Sequence, residues 1–336
     1  MPPGGLCYHT ARRGGFAERP APARHGTEES AVKAMLITGA TGSLGSELVA
    51  RYYGRYELYA HGRDAQRLLK LRMRFPRINL VLGDLRCHAL HDALGCCSVV
   101  VHAAAQKYVD LAEQHCYYTV DTNVVCTHEL ADLAARRGVE RFVFISTDKS
   151  SAPNNVYGIT KYLAERLVLE LSDTYHDTDF VICRFGNIFG SNGSVVQLWL
   201  DAVRRGNPTI RVTDPDMTRF MFSLDEAAAT VDFALTEADT GDIIIPKMHS
   251  VCLRDVMGLF PQADVQVVGK RPGEKMHETL YVKGEINTGR ETERYYVLNR
   301  RSPNVLMMDH IDSSQVGKVE PDRLRQWFDN VRKQAA

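Results

Sequence analysis

The chain predicts an α/β protein: a doubly wound parallel sheet with a smaller C-terminal lobe. Three observations carry that expectation. From Met35 onward, short apolar runs alternate with stretches of helical periodicity, the repetition of β-α units. The runs are continuously apolar rather than alternating, as expected of strands covered on both faces. A glycine-rich turn, Gly39-Ala40-Thr41-Gly42-Ser43-Leu44-Gly45, stands at the first strand-to-helix junction.

The elements follow in order. Apolar runs at 35–38, 57–60, 79–82, 98–102, 141–146 and 180–184 read as strands. Between them, 44–54, 64–75, 86–94, 117–137 and 155–171 read as helices. The texture changes after Phe185. There 194–205, 224–236, 253–260 and 320–334 read as helices, and 209–213, 242–245 and 264–268 as strands. The division predicted is 35–185 for the sheet domain and 186–336 for a second lobe, partly interleaved with the first.

Residues 1–34 lack apolar periodicity and carry Pro-Pro-Gly-Gly and Arg-Pro-Ala-Pro runs, so a disordered extension is expected. They also lack the apolar stretch of a secretory signal, and Met35 stands where a start codon would suit the fold. The chain's 41 Lys and Arg balance its 41 Asp and Glu, without a basic block in the body. Nucleic acid is therefore not an expected partner. No apolar run approaches a membrane span, so no membrane partner is expected. The eight cysteines form no C-x-x-C pair and have no zinc-like spacing with histidine. Free buried thiols, no metal and a reducing cytoplasmic setting are expected.

The turn at 39–45 has G-x-x-G-x-x-G spacing. Glycines there allow a tight turn and a close backbone approach to a pyrophosphate, beside a helix N-terminus that favours anions. The expected contacts are Gly39, Thr41, Gly42, Ser43, Leu44 and Gly45. An acid at the tip of strand two would bind the ribose of NAD. Arg63 stands near that place instead, which favours the 2′-phosphate of NADP, with NAD as the alternative. The alternative for Arg63 is a solvated arginine capping helix two. Asp84 and Leu85 follow strand three, where Asp84 would meet the adenine, cap a helix, or both. Ala103 and Ala104 follow strand four, where a cofactor needs room, and His102 before them suits a core position as well.

Ser146-Thr147-Asp148-Lys149 ends strand five, where open α/β sheets place ligands. Tyr157 and Lys161 lie four apart and share a helix face. An ammonium near the phenol would lower its pKa and let Tyr157 take a proton from an alcohol. Alcohol oxidation with an extra acid/base pair beside it exceeds the needs of a simple dehydrogenase.

Together these residues resemble the extended short-chain dehydrogenase/reductases, whose sheet is of Rossmann type. Within them the chain is similar to C5-inverting UDP-N-acetylglucosamine 4,6-dehydratases of polysaccharide and flagellin-glycan biosynthesis. The resemblance spans about residues 35–283. Its motifs here are LITGATGSLG, HAAAQKYVD, STDKSSAPNNVYGITK, RFGNIFGSNGSV, DPDMTRFMFSLDEA and KRPGEKMHETL. It implies an NADP-dependent lyase with a UDP-sugar substrate, and a homo-oligomer. Thr147 would bond the sugar O4. Tyr157 would deprotonate it with help from Lys161, and both would touch the cofactor. Asp148 would be the acid for O6 and Lys149 the base for H5, with its pKa depressed by burial or by cations such as Lys107. Lys107 would line the sugar pocket. Asn187, Ser194 and Val195 would hold the nucleotide, Arg219 and Arg271 the diphosphate, and Glu274 a ribose hydroxyl. Departures from the family pattern cluster at Gln106, Tyr108, Asp110, Asn192 and Gln197. A UDP-sugar 4-epimerase, a 5,6-dehydratase and a non-catalytic NADP sensor are the competing readings. The Asp-Lys pair argues against the epimerase, and the intact Tyr157, Lys161, Asp148 and Lys149 argue against the sensor.

Overall fold

In a computed structural model, residues 32–206, 209–307 and 310–334 are described. Most of the expected extension thus lies outside the described residues. Ala34 already belongs to the first strand, one residue earlier than the apolar run suggested.

The first half is built from β1 (Ala34–Thr38), α1 (Ser43–Tyr52), β2 (Glu57–Gly62), α2 (Ala65–Arg74), β3 (Asn79–Leu82), α3 (His88–Leu94) and β4 (Val99–His102). There follow α4 (Val109–Gln114), α5 (Cys116–Val120), α6 (Cys126–Arg136), β5 (Arg141–Thr147), α7 (Val156–Thr174) and β6 (Asp179–Phe185). The second half holds β7 (Asn187–Ile188), α8 (Val195–Arg204), β8 (Thr209–Val212), β9 (Thr218–Phe222), α9 (Leu224–Thr236), β10 (Ile243–Pro246), β11 (His249–Cys252), α10 (Leu253–Met257) and β12 (Asp264–Val267). It ends with β13 (Thr279–Val282), β14 (Gly289–Glu291), β15 (Tyr295–Leu298), β16 (His310–Asp312) and α11 (Pro321–Gln334).

The main sheet runs β14-β15-β10-β6-β5-β4-β1-β2-β3. Its stretch from β3 to β6 has the order of a dinucleotide-binding Rossmann sheet, with the order reversing between β1 and β4. Strands β1, β4 and β6 are buried along nearly their whole length, because helices cover both faces. β10 extends the sheet in parallel with β6, and β15 joins it antiparallel. The second half therefore contributes three strands to the first half's sheet. A separate apolar cluster, including Phe189, Trp199, Ile210, Phe260 and Trp327, holds the smaller lobe together.

Two differences from the sequence expectation bear on the site. The helix expected at 117–137 is α5 and α6 joined by one turn of π-helix at Asp121–Val125. That turn aims the buried Asn123 side chain at the Gln106 backbone (2.8 and 2.9 Å) and at Thr160 (3.1 Å). Such bulges interrupt the regular ladder and redirect a side chain. The short strands β9, β11 and β13–β16 escaped the sequence reading, as pieces of three to five residues carry little periodicity. The described cysteines are free, and Cys96 and Cys116 are exposed rather than buried.

Candidate active site

One cavity of about 1640 Å³ runs from the glycine turn to the smaller lobe. Ligand sites for one small molecule span roughly 300–1,000 Å³, so this cavity has room for two ligands. Every site residue expected from the sequence lines it, with one exception: Asp148 lies behind the wall, fully buried.

At one end the glycines are required by contact. A Cβ on Gly39 (φ +68°) would sit 2.9 Å from the Ala104 nitrogen, and one on Gly45 would strike the Gly39 carbonyl. Gly42 caps α1 without a side chain covering the helix's first N–H groups. Those donors therefore remain open to an anion. This cradle, with Ala103 and Ala104 beside it, fits a dinucleotide pyrophosphate.

Arg63 lies on the cavity wall at the end of β2 and donates to the Tyr118 hydroxyl. Asp64 beside it caps α2 by accepting from the Arg67 N–H at 3.0 Å. Asp84 accepts from the Arg86 N–H at 2.9 Å, in a local turn. The cap of α3 is Cys87, so Asp84 does not serve as that helix cap. His102 is a core histidine. It is buried between Thr38 (2.7 Å) and Thr127 (3.0 Å), and burial lowers its pKa to about 3.

The residues expected to react gather where β5 leaves the sheet. Thr147 Oγ1 donates to Asp148 Oδ1 at 3.0 Å, and Lys149 Nζ donates to the same oxygen at 3.0 Å. Lys149 also reaches Asn187 Oδ1 (3.3 Å) and Glu278 Oε1 (3.4 Å). Burial raises the Asp148 pKa, favouring the acid form. Burial acts to lower Lys149, but the Asp148 and Glu278 carboxylates outweigh it and hold the ammonium above the usual lysine range. This corrects the expectation of a depressed Lys149. Lys107 is not among the charges acting on it; its amine donates to the Asn192 carbonyl at 2.6 Å.

Tyr157 departs from expectation in a related way. Lys161 donates to the Ile145 carbonyl at 2.6 Å and lies 3.9 Å over the Phe144 ring. Burial brings the Lys161 pKa down to about 7. The cation that favours the Tyr157 phenolate is Lys149, with Thr147 assisting, and burial outweighs both, leaving the phenol raised. A shared helix face does not ensure a pair: the amine finds a backbone carbonyl at the end of its own reach.

Beneath this turn lies a buried ion network. Arg184, fully buried on β6, pairs with Glu165 and Glu285, each at 2.7 Å. Glu165 also accepts from Ser146 (2.6 Å) and Ser150 (2.7 Å), and Glu285 from Ser151 (2.6 Å). The network ties β5, the turn after it, α7 and the second half of the chain together.

The other expected contacts are spread around the mouth. Ser194 caps α8 by accepting from the Gln197 N–H at 3.4 Å, which puts Val195 in the first turn. Arg271 pairs with Asp110 at 2.7 Å. Arg219 lies between Glu274 (3.6 Å) and Glu278 (3.7 Å). Asn187 faces Lys149. Sequence reasoning missed Glu278, although it sits inside the KRPGEKMHETL motif. It missed Arg211 and Lys270 too, which line the cavity with Arg219 and Arg271. The motif does not tell which of its residues turns inward; the fold carries Glu278 to Lys149 and places Arg211 and Lys270 on the cavity wall.

The chain's residues 35–300 match the family described as polysaccharide biosynthesis protein. It is 36% identical over 285 residues to an uncharacterized membrane protein of Methanocaldococcus jannaschii, covering 79% of this chain and 85% of that one. It is 31% identical over 286 residues to a UDP-N-acetylglucosamine 4,6-dehydratase (inverting) of Campylobacter jejuni, covering 82% and 85%. A UDP-glucose 4-epimerase of Rickettsia rickettsii is 28% identical over 280 residues, covering 79% and 82%. Among solved structures, Pen from Bacillus thuringiensis superposes with a TM-score of 0.83 at 28% identity, over 89% of this chain and 98% of that one. DesIV of Streptomyces venezuelae, a dTDP-glucose 4,6-dehydratase solved with NAD, shares the fold with a TM-score of 0.64 at 22% identity, over 72% and 86%. The chain belongs to the polysaccharide biosynthesis protein family, enzymes of the extended short-chain dehydrogenase/reductase type that include nucleotide-sugar 4,6-dehydratases and epimerases.

Proposed function

We propose that this protein is a UDP-N-acetylglucosamine 4,6-dehydratase that inverts C5. The observation that carries the reading is the Asp148–Lys149 pair, joined at 3.0 Å at the end of β5 beside Tyr157. A 4-epimerase returns hydride to C4 and has no use for a second acid/base pair. The inverting dehydratase from Campylobacter supports the same substrate.

Gly39, Gly42 and Gly45, with Ala103 and Ala104, would hold a nicotinamide dinucleotide, which when bound would supply the hydride acceptor for C4 and the donor for C6. Arg63 and Arg67 on the wall favour a 2′-phosphate, and hence NADP over NAD. Thr147 orients O4, and Tyr157, entering the cycle as the phenolate that Lys149 and Thr147 favour against burial, removes its proton. The resulting ketone acidifies H5. Lys149 is an ammonium at rest and must become an amine. Only one proton need move: from Lys149 Nζ to Asp148 Oδ1 along their hydrogen bond. That shift creates an acid and a base at once, without changing the charge of a buried pair. Lys149 then takes H5, and Asp148 gives its proton toward O6 through Thr147 or Lys149, since it lies behind both. Water leaves, and the pair is again carboxylate and ammonium. After hydride reaches C6, Lys149 returns a proton to C5. The proton left on Tyr157 restores the Asp148–Lys149 pair through Thr147, which neighbours both. The N-terminus of α8 at Ser194 and Val195, with Arg219, Arg271 and the nearby Arg211, faces the diphosphate, and Glu274 a ribose hydroxyl.

The test is incubation with UDP-N-acetylglucosamine in D₂O, read by mass spectrometry and NMR. The expected product is a 4-keto-6-deoxy sugar with deuterium at an inverted C5. Formation of UDP-N-acetylgalactosamine would establish the epimerase instead, and an exocyclic 5,6-alkene the 5,6-dehydratase.

A further inference from the structure

We infer that Glu278 is a positioning residue acting through Lys149: it stands behind the amine, orients it, and stabilises the ammonium formed when Lys149 accepts a proton. The residue lies 129 positions from Lys149 in sequence and has no role in the reading above. Its side chain is 4% exposed, with Oε1 3.4 Å from Lys149 Nζ and 3.7 Å from Arg219 Nε. The other oxygen, Oε2, is buried without a hydrogen-bond partner, as is Oδ2 of Asp148. A carboxylate this little exposed, with one oxygen unpaired, is costly to hold in place. It persists here because the backbone is clamped: the Glu278 N–H donates to Ser313 Oγ and its carbonyl accepts from the Ser313 N–H, both at 2.9 Å. β13 and β16 thus hold the carboxylate against a lysine carried by the main sheet.

The charges around Glu278 leave it a specific part. Lys149 and Asp148 approach from the turn after β5, Arg219 from β9 and Lys275 from the loop before β13; Tyr157 on α7 stands against Lys149, and Glu274 against Arg219. When the proton sits on Asp148, Arg219 balances Glu278. When Lys149 has taken a proton, Glu278 faces the new ammonium directly, and in low dielectric that contact is strong. The arrangement places a fixed carboxylate behind a general base. It rests on the dehydratase reading only for its catalytic consequence; the hold on Lys149 is a property of the free protein.

The experiment therefore has two arms, each with Glu278→Gln and Glu278→Asp. In the first, no substrate or cofactor is added. Acetylation of Lys149 by acetic anhydride is followed against pH by peptide mass spectrometry, with Lys70, exposed on α2 away from Glu278, in the same digests as the reference. Glu278→Gln should lower the midpoint for Lys149 by about one pH unit, giving about tenfold more acetylation at a fixed pH, while Glu278→Asp stays near wild type. An unmoved Lys149 profile in Glu278→Gln overturns the inference. In the second arm, with UDP-N-acetylglucosamine, Glu278→Gln should slow dehydration about 10²-fold and keep C4 oxidation, read as cofactor reduction in a single turnover. Both limbs of the pH–rate bell should move to lower pH, because removing a negative charge lowers both macroscopic pKa values of the Asp148–Lys149 pair. Glu278→Asp should restore the bell's position. A bell that stays in place under a uniformly lower rate would mean a structural role and overturns the inference. A wild-type protein that yields no 4-keto product sinks the dehydratase reading alone, because the acetylation arm still decides the Glu278–Lys149 contact.

Discussion

The two ends of the cavity treat charge in opposite ways. At the end of β5, Asp148, Glu165, Arg184 and Glu278 are nearly or fully buried, and their partners come from β5, α7, β9 and the loops that pack on them. At the mouth, Arg271 and Asp110 are each 55% exposed, and Lys107 rests on a single carbonyl of Asn192. A buried pair is costly to break because each charge left behind is uncompensated. An exposed pair is worth little and yields to a better ligand. The end at β5 is thus fixed by buried pairs, while the mouth is held by exposed contacts that a better ligand can replace.

The sharpest way to break this contrast is Arg184→Ala. It strands Glu165 and Glu285 in the core, and urea unfolding should show a loss of about 3–5 kcal/mol. A loss below about 1 kcal/mol would mean that the network is no stiffer than the mouth. Lys149→Ala comes next. Dehydration should fall by about 10²–10⁴, while single-turnover cofactor reduction falls less, because Tyr157 and Thr147 remain although the charge of Lys149 that favours the phenolate is lost. Equal loss of both half-reactions would make Lys149 structural.

Arg63→Ala should weaken NADP by about tenfold and leave NAD nearly unchanged, as measured by fluorescence titration; equal weakening would remove the 2′-phosphate argument. The smallest effect is at the mouth. Asp110→Asn frees Arg271 and should lower the KM for the nucleotide sugar about twofold to fivefold with kcat unchanged. An increase in KM would show that Asp110 serves the substrate rather than competing with it.

Much of the site was legible because its residues are local. The spacing of Gly39, Gly42 and Gly45 states a strand-turn-helix geometry, and the contacts at Ala104 and the Gly39 carbonyl confirm why only glycine fits. Thr147, Lys149, Tyr157 and Lys161 reach one cavity because β5 and the start of α7 bring them there. What stayed hidden was electrostatic. The i, i+4 spacing of Tyr157 and Lys161 promised a pair, yet Lys161 prefers the Ile145 carbonyl. Lys149 seemed to require a lowered pKa, yet Glu278 and Asp148 raise it. The unusual residues at 106–110 and 192 proved to form contacts across the mouth. Gln106 braces the Tyr108 backbone, the Asn192 backbone N–H donates to Ser43 Oγ at 2.8 Å, and the Tyr108 ring lies so close to Gly193 that a Cβ there would meet it at 2.8 Å.

By itself, then, the sequence determined the β-α order of the main sheet up to β6, the glycine cradle and the gathering of Thr147, Lys149, Tyr157 and Lys161 at the end of β5. Those features depend on neighbours within a few turns of chain, and periodicity and spacing record them. The tertiary structure alone decided which carboxylate faces Lys149, that Asp148 stands behind the wall, and which cations are held by buried partners. Those outcomes depend on burial and on charges brought together across more than a hundred residues. A charge's pKa follows the dielectric and the partners around it, and neither is written in its own stretch of chain.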